Sequence, residues 1–200
     1  FALDTTWLAG AGGLAAIFFN TGSWRQRDSV LAFLDVRRER LTRGEALWLD
    51  EDMALLTSPE AEFRTATAIL AEDSAQTYQA MWSSWRAHRP KDALRFYARR
   101  DSTTVWARDW QSWYTVAASA HHMLGEFDKE LALARASKQR EPRTLGHWIS
   151  EARALAAMKR FDDVDRLIPE SRALEDPTAA VYLMNTAMVG ASNHGAKEQA

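Results

Sequence analysis

Apolar residues recur along the chain at helical spacing, in pairs of segments that are separated by short polar turns. Within residues 131–134 and 152–158, for example, the apolar side chains fall on one face of a helix with 3.6 residues per turn. Alternation of apolar and polar residues, which indicates a half-buried strand, is nowhere long enough to form a sheet. The pattern therefore predicts an all-α chain.

Five segments share one order of features: an apolar helix, a tight polar turn, an aromatic residue or proline, and a second amphipathic helix. The residues that follow the five turns are Trp24, Pro59, Pro90, Phe127 and Phe161. Their separations are 35, 31, 37 and 34 residues. A period of this length is typical of helical-hairpin repeats, in which stacking buries an apolar face that no single unit can bury alone.

The fourth segment, HHMLGEFDKELALARASKQREP, shows this order most clearly. It has Gly125 and Phe127 at the turn, and Pro142 at the end of the second helix. Ala134 and Ser137 then lie on the inner face of that helix. Glycine suits the left-handed conformation that often follows a helix, and proline cannot continue one. The fifth segment, ARALAAMKRFDDVDRLIPESRALEDP, repeats the arrangement.

These segments, together with RAHRPKDALRFY at residues 86–97, resemble degenerate tetratricopeptide regions. Such regions follow the kinase or DNA-binding part of some bacterial signalling proteins. The resemblance covers most of the chain and is best from about residue 75 to 175. It is weaker in the first three units, where Arg27 and Glu62 occupy positions that usually hold a small residue. It implies a surface that binds peptides or proteins and no catalytic residues.

The expected fold is a single TPR-like right-handed helical solenoid of about five helix pairs with a C-terminal capping helix. The repeat units are expected near residues 5–40, 44–73, 75–101, 109–142 and 143–176. The capping helix is expected at 177–190 and a loose tail at 191–200.

Composition narrows the classes of function. The net charge of −2 gives no overall basic excess for binding nucleic acid. The absence of cysteine excludes disulfides, thiolate zinc sites and cysteine nucleophiles. The most apolar stretch, residues 7–19, is shorter than the roughly 20 residues that a bilayer span needs, and glycines dilute it. We expect a protein that is soluble or peripheral to a bacterial membrane, with the periplasmic side favoured.

No set of residues indicates an active site. Residues 10–15 match a loose dinucleotide-binding pattern but lack the strand that the motif needs, so close helix packing is the better interpretation. His121 and His122 are adjacent, so their side chains diverge on a helix and do not face one ion. The acidic runs at 50–52 and 162–165 lack the features of a calcium loop. We expect no enzyme activity, no cofactor and no metal.

Tryptophan is unusually frequent, with nine in 200 residues, and five of the nine lie within residues 82–113. Spacings of three and four residues keep neighbouring rings on one helical face. Core packing explains such a cluster, because Trp is commonly buried. An anchoring patch for a partner also explains it, because Trp, Tyr and Arg dominate binding hot spots. The two interpretations can hold together.

Charge is segregated beside this cluster. Residues 45–76 carry eight acidic side chains and one arginine, whereas residues 85–108 carry seven basic and two acidic side chains. A basic stretch next to aromatic rings suits an acidic protein surface or an anionic membrane face. The candidate partner-binding residues are Trp82, Trp85, Arg95, Arg99, Arg100, Trp106, Trp110, Trp113 and Tyr114.

The sequence favours a non-enzymatic protein–protein interaction scaffold. Its expected role is that of a membrane-extrinsic accessory subunit that braces a larger complex, for which a bacterial photosynthetic reaction-centre or light-harvesting complex is one example. The alternative is a ligand- or peptide-sensing regulatory TPR domain of a bacterial signalling protein. In both cases the expected partners are proteins and not nucleic acids, and the chain has no transmembrane segment of its own.

Overall fold

The computed structural model describes residues 8–101, 103 and 110–194, with the backbone alone at residue 9. The described residues form eleven α-helices and three short 3₁₀ turns, and no strand. The helices are α1 (Leu8–Asn20), α2 (Trp24–Asp35), α3 (Arg43–Ala54), α4 (Pro59–Glu72), α5 (Thr77–Arg86), α6 (Pro90–Arg99), α7 (Gln111–Met123), α8 (Phe127–Arg140), α9 (Leu145–Ala157), α10 (Phe161–Glu170) and α11 (Ala179–Asn193). The predicted all-α class is confirmed.

The five residues that were predicted to follow the turns are each the first residue of a helix. Trp24, Pro59, Pro90, Phe127 and Phe161 begin α2, α4, α6, α8 and α10. Proline is favourable at this position because its missing N–H group would have no partner within the helix. Every second helix of the predicted pairs therefore begins where the sequence pattern placed it.

The backbone of the turns repeats as well. In four of the five turns, the residue two positions before the new helix has a positive φ: Gly22, His88, Gly125 and Lys159, between 55° and 71°. A left-handed residue closes the preceding helix and reverses the chain within a few residues. The second turn differs, because the Ser58 side chain accepts a hydrogen bond from the Ala61 N–H and caps α4 directly. These recurring hairpins are consistent with a helical repeat.

The chain divides into two compact units, Phe1–His88 and Arg89–Ala200. In the first unit, α1 packs on α2, and α3 packs on α4. In addition, α1 contacts α3, and α4 contacts α5, so each hairpin packs on the next. The grouping of all repeats into one domain and the boundaries of the repeat units stay predictions.

Helix α9 is the centre of the second unit. It packs against α7, α8, α10 and α11, while α6 packs on α7 and α7 on α8. The direct contacts from α7 to α9 and from α9 to α11 join the first helices of successive pairs. Apolar side chains from these helices form a continuous core: Leu131, Trp148, Leu155, Val164, Leu167 and Leu183.

The glycine-rich segment at residues 10–15 lies inside α1 and not in a loop between a strand and a helix. The small side chains that α1 buries are those of Ala11 and Ala15. A side chain added at Gly12 or Gly13 would meet nothing within 4 Å. The alanines, and not these two glycines, provide the close packing that the sequence suggested.

None of the described helices combines the length and apolar character that are needed to cross a membrane.

Candidate protein-docking site

The candidate residues of the first unit lie on one face of α5. The rings of Trp82 and Trp85 are 5.1 Å apart between centroids and are tilted by 49°. Tyr78 stacks on Trp82 at 6.5 Å, which extends the row by one helical turn. Both Trp side chains are half-buried. The spacing of three residues thus brings these two rings together, as the sequence indicated.

The remaining aromatic candidates that the structure describes belong to the second unit. Trp113 is 1% exposed and Tyr114 is also buried, both on the first turn of α7. Trp110 precedes α7 and is half-buried. Trp106 lies outside the described residues. The Trp113 ring is therefore packed in the core, which is one of the two interpretations that the sequence left open.

The basic candidates lie in the second half of α6 and just after it. Arg95 is exposed and forms an ion pair with Asp92 at 3.0 Å. Arg99 is exposed and forms no ion pair with any residue that the structure describes. Arg100 is half-buried, and its guanidinium group lies 3.9 Å from the centroid of the Tyr97 ring. The three arginines therefore differ in how available their charges are.

Arg100 belongs to a cluster of two arginines and two tyrosines, here called the Arg–Tyr cluster, which consists of Tyr97, Arg100, Tyr114 and Arg140. Arg100 donates a hydrogen bond of 2.9 Å to the Tyr97 carbonyl oxygen and lies 5.8 Å from the Tyr114 ring. Arg140, at the end of α8, lies 5.1 Å from the same ring and donates a hydrogen bond to the Tyr114 hydroxyl. The Tyr97 and Tyr114 rings meet edge to face at 6.2 Å.

Two features describe the surroundings of Arg100 and Tyr97 in this cluster. Among the described residues no carboxylate pairs with Arg100, and the buried Nε of its guanidinium has no hydrogen-bond partner. Burial also raises the pKa of the Tyr97 hydroxyl, although the neighbouring Arg100 lowers it. A guanidinium group that stacks on a ring keeps its N–H donors, so Arg100 can still donate hydrogen bonds to a further acceptor.

His147 lies on the inner side of the cluster. Its ring meets that of Tyr114 edge to face at 6.3 Å, and its Nε2 is 3.6 Å from a carboxylate oxygen of Glu141. Burial lowers the pKa of His147 more than the Glu141 carboxylate raises it. The imidazole is therefore neutral near pH 7 and adds no charge to the cluster.

Sequence reasoning found Arg100 and Tyr114 but missed Tyr97, Arg140 and His147. The missed residues come from α6, α8 and α9, and packing against α7 brings them together. One sign of Arg140 was present in the sequence: Pro142 indicated that α8 ends near this residue, so that its basic side chain lies at the end of the helix.

The adjacent histidines point to different carboxylates. His121 Nδ1 is 2.7 Å from Glu126, and His122 Nδ1 is 2.7 Å from Glu130. One acid of each acidic run forms an ion pair: Asp50 with Arg38 at 2.7 Å, and Asp163 with Arg160 at 2.6 Å. No group of three potential metal ligands occurs in the described part of the chain.

The first unit buries carboxylates, which are the other chemically distinctive feature of the described residues. Glu51 is almost fully buried and accepts a hydrogen bond from the Gln79 amide. Burial raises the pKa of Glu51 to about 7 and that of the adjacent Asp52 to about 6. Glu62, also buried, accepts a hydrogen bond of 2.7 Å from Arg86. Glu51 on α3 and Glu62 on α4 thus both form hydrogen bonds with side chains of α5.

The raised pKa of Glu51 makes a specific prediction about stability. Between pH 4.5 and about 7, the folded protein holds a proton that the unfolded chain has released. The free energy of unfolding is therefore expected to fall as pH rises through this window, by up to roughly 3 kcal/mol from Glu51. Urea denaturation at pH 5 and pH 8 measures the difference.

The variant Glu51→Gln tests the origin of this effect. The amide keeps an acceptor for Gln79 but never ionises, so the stability at pH 8 is expected to rise and the pH dependence to flatten. Glu39→Gln, at an exposed position, is the matched control and is expected to leave the pH dependence unchanged. An equally steep curve in the Glu51 variant would assign the pH dependence to other groups.

Comparisons with protein-family models, with curated proteins and with solved structures found no significant match.

Proposed function

We propose that this chain is a non-enzymatic scaffold of the TPR type, whose helical hairpins stack as a right-handed solenoid. The support comes from the five helix starts and from the four left-handed turns that precede them. The contacts from α7 to α9 and from α9 to α11 add to it, because stacking of first helices is how hairpin repeats build a continuous core.

The scaffold docks an acidic segment of a protein partner on the second unit. The observation that carries this proposal is the half-buried guanidinium of Arg100, stacked on Tyr97 with no carboxylate partner among the described residues. Arg95 and Arg99 stand exposed on the preceding helix and extend the positive charge. Tyrosine and arginine side chains in this arrangement are the residue types that dominate binding hot spots.

Charge reversal tests this docking mode. A variant with Arg95→Glu, Arg99→Glu and Arg100→Glu is expected to weaken partner binding by about tenfold or more and to flatten its dependence on salt. The partner is first identified by crosslinking in a native extract. Binding is then measured with the purified pair from about 50 to 500 mM salt, because the Debye length falls to less than half of its initial value over this range.

The control variant is Arg172→Glu, at an exposed position in the same unit. It also reverses the charge of an arginine but belongs neither to α6 nor to the Arg–Tyr cluster, so the affinity is expected to be close to that of the wild type. A triple variant that stays folded and binds as tightly as the control would remove the docking proposal and leave the repeat architecture untouched.

A narrower form of the proposal is a membrane-extrinsic accessory subunit, for which a bacterial photosynthetic complex is one example. Such a subunit is expected to co-purify with its complex through detergent and to be released by high salt. A sensor domain would behave differently: its melting temperature would rise with a small ligand, because a ligand that binds the native state stabilises it.

A further inference from the structure

The last helix of the second unit presents an apolar face to solvent. Its inner side, with Ala179, Leu183 and Ala187, is buried against the core. Its outer side carries five large apolar side chains that are 50% to 67% exposed. These five residues, here called the α11 face, are Val181, Tyr182, Met184, Met188 and Val189. A helix face that meets only water normally carries polar residues.

The chemistry of the α11 face limits what can cover it. No residue from 179 to 193 is charged. An amphipathic helix that lies on an anionic membrane carries Lys and Arg along its polar face, and α11 has none. A charged protein surface would likewise find no partner for its charges. A second copy of the same apolar face meets neither difficulty.

The order of side chains along α11 is also self-complementary. Asn185 is exposed and lies one residue from the middle of the helix. Val181 and Val189 lie four residues from it on opposite sides, and Tyr182 and Met188 lie three residues from it. In a two-fold contact, residue i meets residue j while j meets i. An antiparallel pair centred on Asn185 would therefore place Val181 opposite Val189 and Tyr182 opposite Met188.

We propose that two copies of this chain associate through antiparallel packing of their α11 helices, with the two-fold axis at Asn185. The two Asn185 amides face each other, and each has both a donor and an acceptor for the other. Tyr182 and Met188 supply a sulfur–aromatic contact on each side of the axis. Opposed helix dipoles favour the same orientation.

The size of the α11 face sets the expected strength of the dimer. Five side chains with this exposure amount to roughly 500 Å² per copy, which matches the largest patches on monomeric proteins. Two copies would bury about 1,000 Å², which reaches the minimum for a biological interface but lies below the roughly 1,200–2,000 Å² of stable ones. The dimer is therefore expected to be reversible and to dissociate on dilution.

Sedimentation velocity tests the dimer over a range of protein concentrations. The wild-type chain is expected to shift from monomer to dimer as concentration rises. Met188→Lys places two like charges at the contact and is expected to weaken the dimer tenfold or more. The matched control is Met123→Lys, an exposed methionine on α7 of the same unit, which is expected to dimerise like the wild type.

Engineered cysteines test the geometry, and because the chain contains no native cysteine, only the introduced thiols can form a crosslink. Asn185→Cys is expected to form an intermolecular disulfide on mild oxidation, because residues on the two-fold axis lie opposite themselves. A chain with Val181→Cys is expected to crosslink to one with Val189→Cys and not to its own copy. Gln139→Cys, exposed on α8, is the control that stays uncrosslinked.

Three results would overturn the proposal. The first is a wild-type chain that stays monomeric at every concentration, together with an Asn185→Cys variant that forms no crosslink. The second is self-crosslinking of Val181→Cys, which would mean a parallel pair. The third is a monomer that binds phosphatidylcholine or phosphatidylserine vesicles and loses this binding with Met188→Lys, because the face would then belong to a membrane.

Discussion

Replacement of Glu130 by alanine is expected to lower the free energy of unfolding by roughly 3–5 kcal/mol, one of the largest losses for a single change in this chain. Glu130 on α8 is fully buried. It accepts a hydrogen bond of 2.6 Å from Arg153 on α9 and lies 2.7 Å from His122 on α7. One carboxylate therefore joins three helices, and its removal leaves the Arg153 guanidinium without its ion-pair partner.

A matched set of variants separates the ion pair from packing. Glu130→Leu with Arg153→Leu removes both charges together and is expected to lose much less stability than Glu130→Ala, because no unpaired charge remains. Glu126→Ala removes a carboxylate of the same hairpin that contacts His121 and the exposed Lys129, and is expected to cost much less stability than Glu130→Ala, because water can replace the lost contacts. Urea denaturation followed by Trp fluorescence measures all three. Equal losses for Glu130→Ala and Glu126→Ala would show that burial of Glu130 does not matter.

Buried charge recurs at one position of the hairpins. The third residue after each helix start is buried in all five cases: Arg27, Glu62, Ala93, Glu130 and Val164. The three charged ones are each held by a neighbouring helix: Arg27 donates to the Asp52 carbonyl oxygen, Glu62 pairs with Arg86, and Glu130 pairs with Arg153. In three of the five hairpins, a position that usually holds a small residue therefore carries a charged side chain that contacts the next hairpin.

This difference shows where sequence reasoning reached its limit. The helix starts at Pro59 and Phe127 were predictable because turn chemistry is local: a proline or a left-handed residue determines where a helix stops or begins. The burial of Glu62 and Glu130 was not, because each depends on an arginine more than twenty residues later. From the sequence, a charge at a small-residue position indicated only a degenerate repeat.

The candidate site was predictable to the same extent. Rings three residues apart on α5 meet because helical geometry alone brings Trp82 and Trp85 together. The approach of Arg140 to Tyr114 depends on how α8 packs against α7, which no short-range pattern encodes. The apolar residues of α11 were visible in the sequence. Because the segment was interpreted as the capping helix of the repeat, the exposure of its apolar outer side was not predicted.

Replacement of Trp113 by alanine is the other change with a large expected effect, a loss of roughly 3–5 kcal/mol in the free energy of unfolding. The ring is 1% exposed on α7, so its removal leaves a cavity that the surrounding helices fill only in part. Trp113→Phe keeps most of the apolar volume and is expected to cost considerably less. Thermal and urea unfolding measure both variants.

Trp85 provides the comparison, since it belongs to the same run of candidates but is half-buried. Trp85→Ala is expected to cost roughly 1–2 kcal/mol of stability, because the ring loses its contact with Trp82 but leaves no enclosed cavity. If Trp85 also anchors a partner, the same variant is expected to weaken binding by on the order of 2 kcal/mol while the protein stays folded. Trp113→Phe is expected to leave partner affinity unchanged. Affinity that falls for Trp113→Phe and not for Trp85→Ala would exclude the half-buried rings of α5 from the docking surface.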